Sequence, residues 1–186
     1  MKEFYHGLAI GRIQPLHNGH ILLFNEVLKS CEKMTFVLGS IQESRTLKNP
    51  FTEEERKTML TNVMQEEITN KKFNIISLPD INNLPKWGEY VLSHIEEPVD
   101  VFFTGSDFDA VPFTNYNVKS NLKIKIIDRN LYKECKNGTQ IRDLLYQNNS
   151  SWKNYIPKEN RYFLDSITKK EEFITKLKLF NMWGDV

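Results

Sequence analysis

The 186-residue chain contains only two cysteines, Cys31 and Cys135, and neither belongs to a C-x-x-C pair. That excludes a disulfide-built scaffold and the usual zinc-ribbon ligand sets, and it agrees with a reducing compartment. His6 and His94 complete no metal-ligand spacing with them. An excess of one charge is missing too: 25 Lys and Arg against 24 Asp and Glu leave a formal net charge of +1. Proteins that coat nucleic acid carry a clear basic surplus, so no nucleic-acid partner is expected and any bound anion must be held locally. Long apolar runs are absent. His6 and Arg12 interrupt the amino-terminal segment, which argues against a signal peptide or membrane span and for a cytoplasmic protein with no membrane partner. No linker divides the chain, whose length suits one domain over 1–186, with a core over about 5–150 and carboxyl-terminal helices over about 151–186.

Strand and helix signals alternate. Tyr5 to Ile10 reads as a buried strand, and Ile21, Phe24, Val27 and Leu28 then recur at helical spacing. Met34 to Leu38 is a second strand, followed by a polar loop through Pro50. A helix starts at Thr52, where Glu55 completes a capping box and Met59, Leu60 and Val63 supply an apolar face. Further strands are predicted at Lys72 to Leu78, Val99 to Thr104 and Leu122 to Ile127. Helices are predicted at Trp87 to Ile95, Thr139 to Tyr146, Lys158 to Ile167 and Lys170 to Phe180. The alternation implies an α/β fold: a doubly wound, Rossmann-like parallel sheet with helices on both faces and a helical carboxyl-terminal region. Such sheets bind ligands beyond the carboxyl ends of their strands.

The run from Gly11 to His20 joins the first strand to the first helix and carries His17 and His20. With Asn18 read as the N-cap, unpaired backbone N–H groups and the positive helix end face back into the loop, where an anion is stabilised. Gly19 leaves room for that anion. Both imidazoles offer N–H donors expected to become cationic at modest cost. A second phosphate clamp is expected at Asn137 to Arg142, from the Thr139 hydroxyl, backbone amides and the Arg142 fork. Trp87, with Asp80 and Asn82 or Asn83 nearby, offers an indole face for a flat ring and polar groups for ribose hydroxyls or a carboxamide. The competing reading makes Trp87 a core residue opening a helix, as Trp152 and Trp183 are read. Arg56 reads equally well as a partner of Glu53 or Thr52 within its own helix.

These segments together resemble the H-x-G-H nucleotidyltransferase superfamily, and within it the archaeal-type nicotinamide-nucleotide adenylyltransferases. Gly11 to His20 resembles G-R-x-Q-P-x-H-x-G-H, and Gly39-Ser40-Ile41-Gln42 resembles G-S-x-Q. Asn49 to Thr52 with Glu55-Arg56 resembles N-P-F-T-x-x-E-R, Pro79-Asp80-Ile81 with Trp87 a substrate loop, and Gly138 to Arg142 a phosphate motif. The resemblance spans about residues 5 to 167. It implies transfer of AMP from ATP to the 5′-phosphate of nicotinamide mononucleotide, giving NAD and pyrophosphate by direct attack, with Mg²⁺ accompanying ATP through phosphate and water. It implies that His17, His20, Arg142 and Lys48 are catalytic. ATP would be held by Gly11, Arg12, Gln14, Gly19, Gly105, Thr139 and Arg142, and the mononucleotide by Ser40, Asp80, Asn82, Asn83 and Trp87.

Three positions depart from the pattern: Leu16 replaces a usual aromatic, Asn137 a common Ser, and Lys48 an Arg found in some relatives. Arg45 could take the role given to Lys48. Two other functions stay open at this point, another small nucleotidyltransferase (phosphopantetheine adenylyl or CMP transfer) and a non-catalytic nucleotide-binding module. Protein ligands for a metal, oligomeric state, and the choice between nicotinamide and nicotinate mononucleotide are not encoded in any of these motifs.

Overall fold

The structure, a computed structural model, describes residues 1–128, 132–171 and 173. Five strands, β1 (Phe4–Gly11), β2 (Cys31–Leu38), β3 (Phe73–Ser77), β4 (Val101–Thr104) and β5 (Lys123–Ile126), form one sheet in the order β3-β2-β1-β4-β5. Every neighbouring pair is parallel, as the β-α alternation requires. The helices are α1 (Asn18–Ser30), α2 (Glu53–Thr69), α3 (Leu84–Ser93), α4 (Asp107–Ser120), α5 (Gly138–Tyr146) and α6 (Lys158–Thr168).

Side chains alternate across the strands and so build two cores. Leu8, Val37 and Phe102 meet Val91 of α3 and Phe113 of α4 on one face. Ala9, Phe36 and Phe103 meet Phe24 of α1, Leu60 of α2, Ile141 of α5 and Leu164 of α6 on the other. Burial of both faces explains why the strands read as continuous apolar runs. It also fixes the register, since a slip of one residue would exchange the two cores.

Several boundaries differ from expectation. Residues 107–120, to which apolar periodicity assigns no element, form α4; its stripe is weak and Pro112 sits inside it. Gly88 of α3 makes this packing possible, because a Cβ there would lie 2.3 Å from the Pro112 carbonyl oxygen. Helix α3 begins three residues before Trp87, since Asn83 accepts a hydrogen bond from the Lys86 N–H and Pro85 suits the first turn. A short 3-10 helix over Ser150–Tyr155 was also not foreseen. Beyond residue 171 only 173 is described, so most of the helix expected at Lys170 to Phe180, and Trp183, lie outside the described residues.

Candidate active site

The loop between β1 and α1 is built against its neighbours rather than left open. Ile13 is fully buried with φ 53, a left-handed conformation that costs a β-branched residue roughly 1–3 kcal/mol and persists only where surroundings enforce it. Gln14 helps to enforce it. Its amide donates to the Phe51 carbonyl (3.0 Å) and accepts from the Phe51 N–H (2.9 Å), spending both ends on the backbone of the Asn49–Thr52 segment. Gln14 therefore holds the loop instead of presenting its side chain to ATP, which corrects the role expected of it.

The N-cap of α1 is His17, not Asn18. Asn18 instead donates to the Asn154 carbonyl at 3.3 Å. The His17 backbone N–H points to His20 Nδ1 (3.3 Å), which makes that nitrogen the acceptor and leaves the proton of a neutral His20 ring on Nε2. That atom faces β1's end, 3.9 Å from where a Gly11 Cβ would stand. The two imidazole centroids are 3.8 Å apart, and His17 Nδ1 is buried without a hydrogen-bond partner. Burial, then the Arg142 charge, brings the His17 pKa down to about 4; burial, then His17, holds His20 well below the ordinary imidazole range. The expectation that both rings charge at modest cost is thus wrong for the ligand-free protein. They are neutral donors near pH 7, and an arriving anion favours their protonation.

Arg142 is buried and preorganised. One N–H donates to the Gln14 carbonyl (2.8 Å) and another to Thr139 Oγ1 (3.0 Å), which ties α5 to the β1–α1 loop. Gly138 keeps this contact close, because a Cβ would sit 3.1 Å from the Gln14 oxygen and 3.2 Å from Arg142 Nη1 and both neighbours would have to give by a few tenths of an ångström. Asn137 caps α5 by accepting from the Gln140 N–H, so its side chain has a structural partner. Lys48, Thr139 and Arg142 line a cavity of about 940 Å³. Tyr146, whose hydroxyl burial pushes up to about 12, donates to the Leu47 carbonyl (2.7 Å) and fixes the chain beside Lys48. Arg45 is committed elsewhere: it forks onto Glu55 with two bonds of 2.6 Å and donates to the Pro50 carbonyl.

A second cleft, about 500 Å³, opens where the sheet order reverses between β1 and β4. Gly11, Arg12, Ser40, Asp80 and Trp87 line it together with Thr104 and Asp109. Ser40 Oγ donates to the Asp80 carboxylate at 2.6 Å. Arg56 organises this end of the sheet. Fully buried, it donates to the carbonyls of Arg12 (2.9 Å), Gly39 (2.9 Å) and Ser40 (3.2 Å) as well as to Thr52 in its own helix. The intrahelical reading of Arg56 therefore captured only its smallest part. Asn82 and Asn83 do not line the cleft, and Asn83 is the cap of α3. Gly105 opens onto a third hollow at the ends of β4 and β5, with Ile126 and Ile127. Missed in the sequence were the contributions of Tyr146, Thr104 and Asp109; the last belongs to α4, whose two acids in the first turn were an available signal.

The cytidylyltransferase-like family matches residues 8–162. A nicotinamide-nucleotide adenylyltransferase of Thermococcus kodakarensis is 35% identical over 162 residues, covering 87% of this chain and 82% of that protein. One of Pyrobaculum arsenaticum is 34% identical over 172 residues, covering 91% and 92%. Among solved structures, a bifunctional NMN adenylyltransferase/ADP ribose pyrophosphatase from Francisella tularensis superposes with a TM-score of 0.72 at 22% identity. The present chain covers 54% of that enzyme's length, and 96% of the present chain is matched. A further structure of that enzyme holds AMP and a manganese ion. By the family match over most of its length and the identity to these relatives, the chain belongs to the cytidylyltransferase-like family and, within it, to the nicotinamide-nucleotide adenylyltransferases.

Proposed function

We propose that the protein transfers AMP from ATP, with its Mg²⁺ as part of that substrate, to the 5′-phosphate of nicotinamide mononucleotide. A phosphate oxygen of the mononucleotide attacks the α-phosphorus of ATP. The new O–P bond forms as the bond to the bridging oxygen breaks, releasing pyrophosphate and leaving NAD. One observation carries this reading: a cation-lined cavity and an aromatic cleft flank the same β1–α1 loop. His20 abuts Gly11 of the cleft, while His17 feels Arg142 of the cavity.

Each side then has a task. Trp87 stacks on the pyridine ring and Asp80, oriented by Ser40, accepts from ribose hydroxyls. Arg142 and Lys48 take the charge that builds on the leaving pyrophosphate, and Thr139 holds the Arg142 fork. His20 Nε2–H and the N-terminus of α1 face the transferring phosphate. The adenosine end runs toward the hollow at Gly105. No covalent intermediate is required. Cys31 is buried at the start of β2, away from the strands' carboxyl ends, with its thiol pushed up to about 11 by burial.

Among the described residues no group of three His, Cys, Asp or Glu is arranged to hold a metal. No helix among them is long and apolar enough to cross a membrane. The test is direct: purified protein, Mg²⁺ and nicotinamide mononucleotide with ATP, with CTP and phosphopantetheine arms in parallel, and NAD and pyrophosphate quantified. NAD and pyrophosphate in equal amounts are expected. Product only in the CTP or phosphopantetheine arms would overturn the assignment.

A further inference from the structure

The aromatic cleft contains a carboxylate that the reaction does not use. Asp80 and Asp109 both line it, but Asp80 is bonded to Ser40 Oγ at 2.6 Å, whereas Asp109 projects from the first turn of α4. Around them the walls are largely apolar: Leu84, Trp87, Phe102, Pro112 and Phe113. Arg12 is the one cation among the lining residues. Asp109 is exposed to solvent at the edge of these walls, so its field reaches the cleft partly screened by water and weakens as ionic strength rises. The helix-end position of Asp109 is favourable for α4, yet Asp107 in the same turn supplies that interaction without facing the cleft.

We infer that Asp109 sets the choice of mononucleotide, favouring the nicotinamide ring over the nicotinate ring by charge; this rests on the adenylyl-transfer reading above. The two substrates differ at one group. Nicotinamide presents a neutral carboxamide with N–H donors, and nicotinate presents a carboxylate, which brings a further negative charge into a cleft that already holds two. The cationic pyridinium ring common to both is welcome beside Asp109 in either case, so the discrimination comes from the substituent. Specificity here is repulsive in origin: the carboxylate disfavours the wrong substrate more than it helps the right one.

The experiment measures kcat/KM for both mononucleotides at saturating ATP in wild type, Asp109→Asn and Asp109→Glu. Wild type is expected to favour nicotinamide mononucleotide. Asp109→Asn should raise the nicotinate-to-nicotinamide ratio by roughly fivefold or more, the change shrinking as salt is added, while Asp109→Glu keeps the wild-type preference. A merely structural role for Asp109 lowers both substrates together and leaves the ratio where it was. A ratio unchanged within about twofold in Asp109→Asn overturns the inference. Turnover of neither mononucleotide by wild type overturns the adenylyl-transfer reading instead, and calorimetric titration of the two mononucleotides then judges Asp109 on the ratio of affinities.

Discussion

Neutral imidazoles packed beside an arginine make the protein's stability depend on acidity in a defined window. An unfolded His titrates at about 6.5, whereas His17 in the folded protein does so at about 4, and His20 lower than its ordinary value as well. Between those limits the unfolded chain binds more protons than the folded one, so stability is complete above about pH 6.5 and is lost as pH falls toward 4. Unfolding in urea at about pH 7.5 and about pH 5 should show a loss on the order of 2 kcal/mol from His17 alone, with His20 adding to it in the same direction. His17→Asn/His20→Asn should lose that much less between the same two conditions; an equal loss in both proteins would mean the rings titrate normally when folded. A second residue-level expectation separates Lys48 from Arg45. Lys48 is exposed and faces the cavity of Arg142, while Arg45 is held by Glu55. Lys48→Ala should therefore lower kcat/KM by roughly 10²-fold with Lys48→Arg much milder, and Arg45→Ala should chiefly lower stability. A large kinetic loss confined to Arg45→Ala would move the role to Arg45.

At the scale of elements, α2 acts through one side chain. Arg56 reaches from its first turns to three carbonyls on the segments after β1 and β2, which the Gly39 N–H to Gly11 carbonyl bond also ties together. Arg56→Lys keeps the charge but cannot reach all three, so it should cost about 2–3 kcal/mol and raise the mononucleotide KM, because Ser40 and Asp80 hang from that framework. Urea unfolding and steady-state kinetics on the same preparation test both halves. A stable variant with an unchanged KM would show that the three carbonyls need no cation. What could be read from sequence follows the same division. The capping box at Thr52 and Glu55 formed as expected because its two hydrogen bonds are local, whereas the reach of Arg56 and the use of Gln14 depend on segments brought together only by the sheet. Helix α4 was hard to see for another reason: its face is covered by α3 through Gly88, a backbone contact that leaves only a weak apolar stripe to detect. His17, His20 and Thr139 were legible as a group because each sits at a helix N-terminus, a position that sequence marks strongly.

Across the whole molecule, the sheet order β3-β2-β1-β4-β5 puts a crevice beside β1, and the chain uses its two sides separately. The cleft holding Trp87 and the cavity holding Arg142 have no lining residue in common. Joining two substrates requires both to be oriented at once, and independent walls let each be bound without disturbing the other. That division predicts the pattern of a two-by-two experiment. Trp87→Ala should weaken nicotinamide mononucleotide binding by about 1 kcal/mol or more, the worth of an aromatic contact beyond burial, and leave the affinity for a non-hydrolysable ATP analogue nearly intact. Arg142→Ala should do the reverse, and more severely, since its fork is charge-assisted and its loss also frees the Gln14 carbonyl and Thr139 hydroxyl. In the double variant the two losses should add within about 0.5 kcal/mol when each ligand is titrated alone by calorimetry. Trp87 partly packs on Tyr90, with ring centroids 5.8 Å apart, so a purely structural role for the indole remains the rival account. That rival makes a different forecast: a loosened α3 shifts the floor shared with Ser40 and Gly39, and both ligands weaken together in Trp87→Ala. Equal weakening would assign Trp87 to the core and leave the ring without its stacking partner.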